Sequence, residues 1–189
     1  EMCIRDRTWV LLFTNSAFEV ALADGVEWRS EAASSELAFS AWYEGGELPG
    51  VFKDFEVLVE LDEPDTGPRT LVVEVEVGSV DMKDREVNAE LSESDWFDAA
   101  SFPVAVFTSR DVRPAGSGFL AVGHLRLKGI EKPLEVPLEW RRDGDSASLT
   151  GSLTLSRQNW RVGTGEWAGD SSLADRVELS FRVALAPER

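Results

Sequence analysis

Cysteine and histidine are almost absent from the chain, which has one of each, Cys3 and His124, among its 189 residues. A disulfide framework needs paired cysteines, and a thiolate metal site needs several of them. The chain also lacks any run close to the ~20 apolar residues that a membrane-spanning helix requires. These scarcities exclude a disulfide-stapled scaffold and a cysteine-based zinc site, and we expect no stable insertion into a membrane.

The scarcity of histidine also bears on catalysis, because a serine or cysteine triad needs a base beside its nucleophile. His124 falls on the outward face of a predicted strand, with no nucleophile at motif spacing. The Gly116–Gly118 stretch follows Pro114 and is typical of a hairpin loop, not of a nucleophile turn. We therefore predict that the protein is not an enzyme and has neither catalytic nor metal-ligating residues.

Basic residues are few compared with acidic ones: 19 Lys and Arg stand against 35 Asp and Glu, a net charge of -16. Such a charge repels phosphate backbones at long range. Nucleic acid is therefore excluded as a partner. The same charge is typical of a solvated acidic surface that keeps a protein soluble.

The first part of the chain has features of an export signal. Residues 8–18 form a short, mostly apolar run after two arginines, and Ala21-Leu22-Ala23 offers small residues at the spacing that signal peptidase accepts. An ordinary N-terminal strand or tail is the alternative interpretation. We predict a leader over residues 1–23 and one β-barrel domain over residues 24–189.

Alternation of apolar and polar residues is abundant from Glu36 onward. Eight stretches alternate in this way, each with apolar side chains on one face: 37–43, 55–61, 71–77, 104–112, 119–127, 134–140, 147–155 and 177–185. Each stretch is typical of a half-buried antiparallel strand. Eight such strands must pair as two sheets or close into a barrel, which has room for side chains or one small ligand.

Alternation is missing between Ser79 and Ala100. Within this segment Ser92 precedes Asp95-Trp96-Phe97, and serine is a favoured residue at the N-terminal end of a helix. The sequence therefore predicts an all-β fold, an eight-stranded antiparallel barrel, with one short helix around residues 92–100.

Four motifs in the sequence resemble the YceI-like family. The most specific is the segment 81–107, which combines Arg85-Glu86, Asp95-Trp96-Phe97-Asp98 and Phe102-Pro103. The other three are Gly50–Phe52, Gly123–Pro133 and Val162–Trp167, and the resemblance extends over about residues 36–185. It implies a lipocalin-like barrel that binds a polyisoprenoid or isoprenoid quinone in its lumen, in the bacterial periplasm. No cofactor is implied other than this bound lipid, and a membrane cytochrome partner and a homodimer are left open.

A lipid-binding lumen needs an apolar lining, and the chain supplies ten Phe and seven Trp. The predicted lining aromatics are Phe39, Phe52, Phe55, Phe97, Phe102, Phe107, Phe119, Trp140 and Phe181. Ordinary core packing is the alternative for each, because a barrel can be filled by its own side chains. Arg85 and Arg157 fall at strand ends, where each could donate to a lipid head group or form a surface salt bridge.

A second function stays open on the sequence alone. If the lumen is filled, the protein is a non-enzymatic interaction or stress-protection barrel, with the 79–100 segment or the tryptophan-bearing loops docking a partner. A continuous cavity inside the barrel would distinguish the lipid carrier from this alternative.

Overall fold

The computed structural model describes residues 26–62, 67–169 and 172–188, which form eleven β-strands and one α-helix. The helix is α1 (Arg85–Leu91). The strands are β1 (Val26–Ser30), β2 (Glu36–Tyr43), β3 (Gly46–Phe52), β4 (Phe55–Leu61), β5 (Pro68–Glu76), β6 (Val80–Asp81), β7 (Val104–Ala115), β8 (Gly118–Leu127), β9 (Ile130–Asp143), β10 (Ser146–Ser156) and β11 (Arg176–Pro187).

Eight of these strands close into an antiparallel barrel in the order β1-β4-β5-β7-β8-β9-β10-β11, with β1 pairing back onto β11. The closing pair is short, because β11 pairs with β1 only from Leu185 to Pro187. The other part of β11, Glu178 to Arg182, pairs with β2 instead. The barrel is therefore closed at one end, and at the other end β11 continues into an extension of the sheet.

That extension consists of β2, β3 and β6. The strands β2 and β3 form a hairpin around Glu44 and Gly45, both of which have positive φ angles of 50° and 80°. The two-residue strand β6 pairs with Val51 and Phe52 of β3. The extension carries the sheet beyond the barrel and forms one wall of its open end.

Odd-numbered residues face the barrel interior in the first part of β7, and even-numbered residues face it in the last part. A bulge between Ser109 and Asp111 shifts the register of β7 against β8, so the even-numbered Val112 packs against the core. The Ser109 side chain is buried, and its hydroxyl accepts a hydrogen bond of 2.7 Å from the backbone N–H of Leu71. A polar group inside the barrel is thus satisfied by the backbone.

The prediction of an eight-stranded antiparallel barrel with one short helix is confirmed, and two details of it were wrong. The stretch 37–43 is a strand, but it belongs to the extension, and β1 takes its place in the closed barrel. The helix ends at Leu91, before the predicted 92–100 range. Asp84 caps its start, because its carboxylate accepts from the backbone N–H groups of Glu86 and Val87.

The closed end of the barrel is filled with side chains. Trp28 and Trp140 meet edge to face with ring centroids 5.9 Å apart. Around them lie fully or nearly fully buried residues: Val59, Leu61, Ala121, Leu138, Ala147 and Leu185. We call Trp28, Trp140 and these six residues the base of the barrel.

No helix in the described ranges is long and apolar enough to span a membrane. The predicted leader over residues 1–23 lies outside the described residues.

Candidate functional site

A chain of apolar cavities begins above the base and runs toward the open end of the barrel. The lowest has a volume of about 120 Å³, and Leu71, Val136 and Leu149 belong both to its lining and to the buried core. Its other lining residues are aliphatic or phenylalanine: Leu37, Phe55, Val57, Val73, Val75, Ala105, Phe107, Leu125, Leu134, Leu153, Leu155, Leu179, Phe181 and Val183. We call this the lower cavity.

The lower cavity adjoins a second one of about 150 Å³, because Leu37, Leu155 and Leu179 line both. The second cavity is bounded by three phenylalanine rings in contact, one pair tilted and the other edge to face. Phe52 lies between Phe39 and Phe97, with ring centroids 5.4 Å and 5.8 Å away. We call this second cavity the neck.

The neck adjoins a cavity of about 440 Å³, with Phe39, Phe97 and Val162 lining both. This third cavity, the mouth, lies between the β2–β3 hairpin, α1 and the residues around Val162, Trp167 and Leu173. Its other lining residues are Ala41, Tyr43, Leu48, Met82, Glu86, Val87, Glu90, Leu91, Trp96, Arg157, Trp167, Leu173 and Val177. The lower cavity, neck and mouth thus lie in a row with shared, mostly apolar walls, and we call this row of cavities the channel.

The rim of the mouth exposes apolar side chains to solvent. Tyr43, Leu48 and Val87 are 37%, 39% and 39% exposed, and all three line the mouth. Trp167 packs against both Tyr43 and Trp96, with ring centroids 6.3 Å and 5.5 Å apart. An amphipathic aromatic rim of this kind suits an opening where an apolar interior meets water.

Arg157 is 5% exposed and lies between the neck and the mouth. A guanidinium has five N–H donors. They donate to the backbone carbonyls of Val162, Gly163, Trp167, Leu173 and Ala174 at 2.9 to 3.4 Å. The side chain thus holds together two stretches that follow its own turn, 162–169 and 172–174, as the second wall of the mouth; we call these two stretches the loop that Arg157 supports.

The same loop is fixed to the segment that follows α1. The backbone N–H groups of Gly163 and Thr164 both donate to the carbonyl of Asp95 at 2.8 Å, and the Thr164 hydroxyl donates to the Asp95 carboxylate at 2.7 Å. Gly163 has a φ of 75°, and a Cβ there would lie 2.5 Å from Arg157 Nη1. Glycine is therefore required at this position by both backbone conformation and space.

Asp81 anchors α1 to the extension of the sheet. Its carboxylate accepts from Lys53 Nζ at 2.6 Å, Asn88 Nδ2 at 3.1 Å and the Lys83 backbone N–H at 2.9 Å. These donors, the Lys53 ammonium first, hold the pKa of Asp81 well below its usual range. Asn88 in turn accepts from the backbone N–H of Met82, a residue of the mouth lining.

Comparison with known proteins agrees with this geometry. The family model of the YceI-like domain matches residues 28–185. The chain belongs to the YceI-like family. The Protein YceI of Salmonella arizonae is 32% identical over 98 residues, which cover 52% of this chain and 51% of that protein. The chain thus spans about half the length of that curated relative.

Two solved structures resemble this YceI-like protein in fold. Burkholderia cenocepacia BcnA has a TM-score of 0.76 and 29% identity, over 82% of this chain and 98% of that one. A domain from Saccharophagus degradans, described as polyisoprenoid-binding, has a TM-score of 0.67 and 13% identity, over 85% of this chain and 98% of that one.

Six of the predicted aromatics lie along the channel of this YceI-like protein. Phe55, Phe107 and Phe181 line the lower cavity, and Phe39, Phe52 and Phe97 line the neck. Their contact with a ligand stays a prediction.

Three predicted aromatics lie elsewhere. Trp140 and Phe119 pack against the core at the closed end and are not among the channel lining. Phe102 is 38% exposed and covers Gly129 in the turn between β8 and β9, so the expected interior position was wrong.

The two arginines also differ from expectation. Arg157 is buried, and the hydrogen bonds of its guanidinium to backbone carbonyls give it a place inside the fold, not at a solvent-exposed strand end. Arg85 is exposed on α1 and is not among the mouth residues.

Sequence reasoning missed most of the mouth. Tyr43, Leu48, Met82 and Val87 sit on separate elements that come together only in the fold. One signal was available in the sequence. Val87 is an apolar residue within the mostly polar α1 segment.

Proposed function

We propose that this YceI-like protein binds a long-chain lipid of the isoprenoid class, a polyisoprenoid or an isoprenoid quinone, and carries it in the periplasm without chemical change. The channel from lower cavity to mouth is the observation that carries the proposal. Each methylene group transferred from water into such a lining contributes about 0.8 kcal/mol. The polyisoprenoid-binding description of the Saccharophagus degradans domain, which shares the fold, supports the same ligand class.

The channel also weighs against a barrel with a filled lumen. Side chains fill the base, yet the lower cavity, neck and mouth above it stay open. A membrane cytochrome partner and a homodimer stay predictions, which native co-purification and sedimentation would test.

The central test is to purify the protein without denaturation from its native host and extract it with organic solvent. We expect mass spectrometry of the extract to show a long-chain isoprenoid in about a one-to-one ratio with protein. An extract without lipid from folded, native material would contradict the proposal.

A pair of variants tests whether the retained lipid lies in the channel. Phe39→Arg places a charge in the neck, and we expect lipid retention to fall at least about tenfold, because a guanidinium in an apolar lining must be desolvated. Phe102→Arg is the matched control on the exposed surface and should retain lipid normally. Thermal unfolding of both variants distinguishes loss of binding from loss of fold.

A further inference from the structure

Charged side chains are few along the channel and all lie at its upper end. The lining of the lower cavity contains none. Among the described residues that line the mouth, the charged ones are Glu86, Glu90 and Arg157. A lipid that buries its tail in the lower cavity therefore presents its head group to these three side chains.

The one cation in that set has no donor to offer. All five N–H groups of Arg157 donate to backbone carbonyls of the loop that it supports. Binding a phosphate through this guanidinium would require breaking those hydrogen bonds inside a buried site, which is costly.

Three further sets of donors near the mouth are also engaged. The N–H groups of Glu86 and Val87 at the start of α1 donate to Asp84. The indole N–H of Trp96 donates to the Glu90 carboxylate at 3.2 Å. Lys128 Nζ donates to the carbonyl of Arg161 at 2.9 Å.

The carboxylates, by contrast, are exposed on α1 and face the mouth. Glu86 and Glu90 lie one helical turn apart, on the same side as the exposed Val87. Two carboxylates in the lining of the mouth repel a phosphate or diphosphate there, and this repulsion is stronger beside an apolar wall than in bulk water. The Tyr43 hydroxyl on the opposite rim suits a neutral carbonyl or hydroxyl oxygen.

We propose that the mouth selects lipids with an uncharged polar head group, such as an isoprenoid alcohol or quinone, and discriminates against isoprenoid phosphates. This inference rests on the proposed function, because it assigns the head-group chemistry of the same lipid. The carboxylates of Glu86 and Glu90 supply the discrimination.

The test compares two probes that share one tail, geranylgeraniol and geranylgeranyl diphosphate, binding to the delipidated protein. We expect the diphosphate to bind at least about tenfold more weakly than the alcohol. This gap in affinity should narrow as the salt concentration is raised. The fluorescence of Trp96 and Trp167, which line the mouth, reports binding of both probes.

A double variant assigns the effect to the mouth. In Glu86→Gln/Glu90→Gln the gap between the probes should shrink to about threefold or less, because the repulsion is removed while the amide introduced by the second substitution keeps an acceptor for Trp96. The matched control is Glu36→Gln/Glu178→Gln, which removes the same charge from a groove on the outer face of β2 and β11 and should leave the gap unchanged.

The outcomes separate the two proposals. Equal or tighter binding of the diphosphate would overturn the head-group inference and leave lipid binding intact. A gap that both double variants reduce equally would overturn the role of Glu86 and Glu90. Binding of neither probe, with folded protein, would overturn the proposed function itself.

Discussion

The base and the channel of this barrel are built from the same alternating strands, yet one is filled and the other is open. In the base, Trp28 and Trp140 cross the lumen, and residues such as Leu61 and Leu185 are completely buried. Above Leu149 the lining is valine, leucine and phenylalanine, none of which spans the barrel alone. Burial of an apolar face therefore serves stability at one end and leaves space for a ligand at the other.

Leucine truncation should distinguish the two regions most strongly. Leu61→Ala in the base should lower the free energy of unfolding by about 2–5 kcal/mol, because it leaves a cavity in a packed core. Leu155→Ala is the matched change in the lining of the lower cavity and neck, and we expect it to cost less than about half as much. Denaturant unfolding measures both, and equal losses would contradict a distinction between base and channel.

Truncation of the base should also lengthen the channel. Trp140→Ala removes the indole beside Trp28, and we expect the preferred lipid tail to become longer by about one isoprenoid unit, since space freed in an apolar interior is filled by apolar groups. Mass spectrometry of lipid retained from a mixture of chain lengths measures the shift. Trp42→Ala is the control, because Arg176 covers that ring at 4.3 Å on another part of the protein, and an unchanged length in Trp140→Ala would contradict the expectation.

A substitution in the wall of the mouth should lower the free energy of unfolding less than a substitution in the base. Gly163→Ala combines a positive φ with a Cβ against Arg157, and we expect it to destabilise by about 1–3 kcal/mol and to weaken lipid retention. Gly144→Ala is the matched control, because Gly144 has a φ of 60° and open space around it. Comparable retention in the two variants would show that the loop does not shape the channel.

The smallest effect on stability should come from lowering the pH. The pKa of Asp81 is lower in the folded state than in the unfolded state, so the ionised side chain stabilises the fold. This stabilisation is present above the pKa of the unfolded state, about 3.9, and is lost as the pH falls through the pKa of the folded state. Asp81→Asn should therefore flatten the acid side of the stability curve and leave the base unaffected. An unchanged dependence of unfolding on pH below about 4 in Asp81→Asn would contradict this.

The sequence predicts the barrel well because alternation is a local signal of a strand with one buried face. It identifies most of the inward residues between Val57 and Leu185, but not the even-numbered Val112, which the bulge in β7 turns to the core. It does not predict β1, whose five residues contain one fully buried side chain, Trp28, or β3, which contains Pro49 and Gly50 at a sheet edge.

The channel is harder to predict than the fold. Whether Phe107 or Trp140 adjoins empty space depends on the sizes of side chains that face each other across the barrel, and no local pattern records those pairs. The role of Arg157 depends on where the carbonyls of Val162 and Leu173 lie, which again only the fold determines.

The seam between β1 and β11 has a practical consequence. It places Glu27 and Glu188 side by side, with the backbone N–H of Glu188 donating to the carbonyl of Glu27 at 2.9 Å, at the filled end of the barrel. A surface linker or fusion partner joined at either position would extend away from the channel opening. Immobilised in this way, the protein would present its mouth to solution.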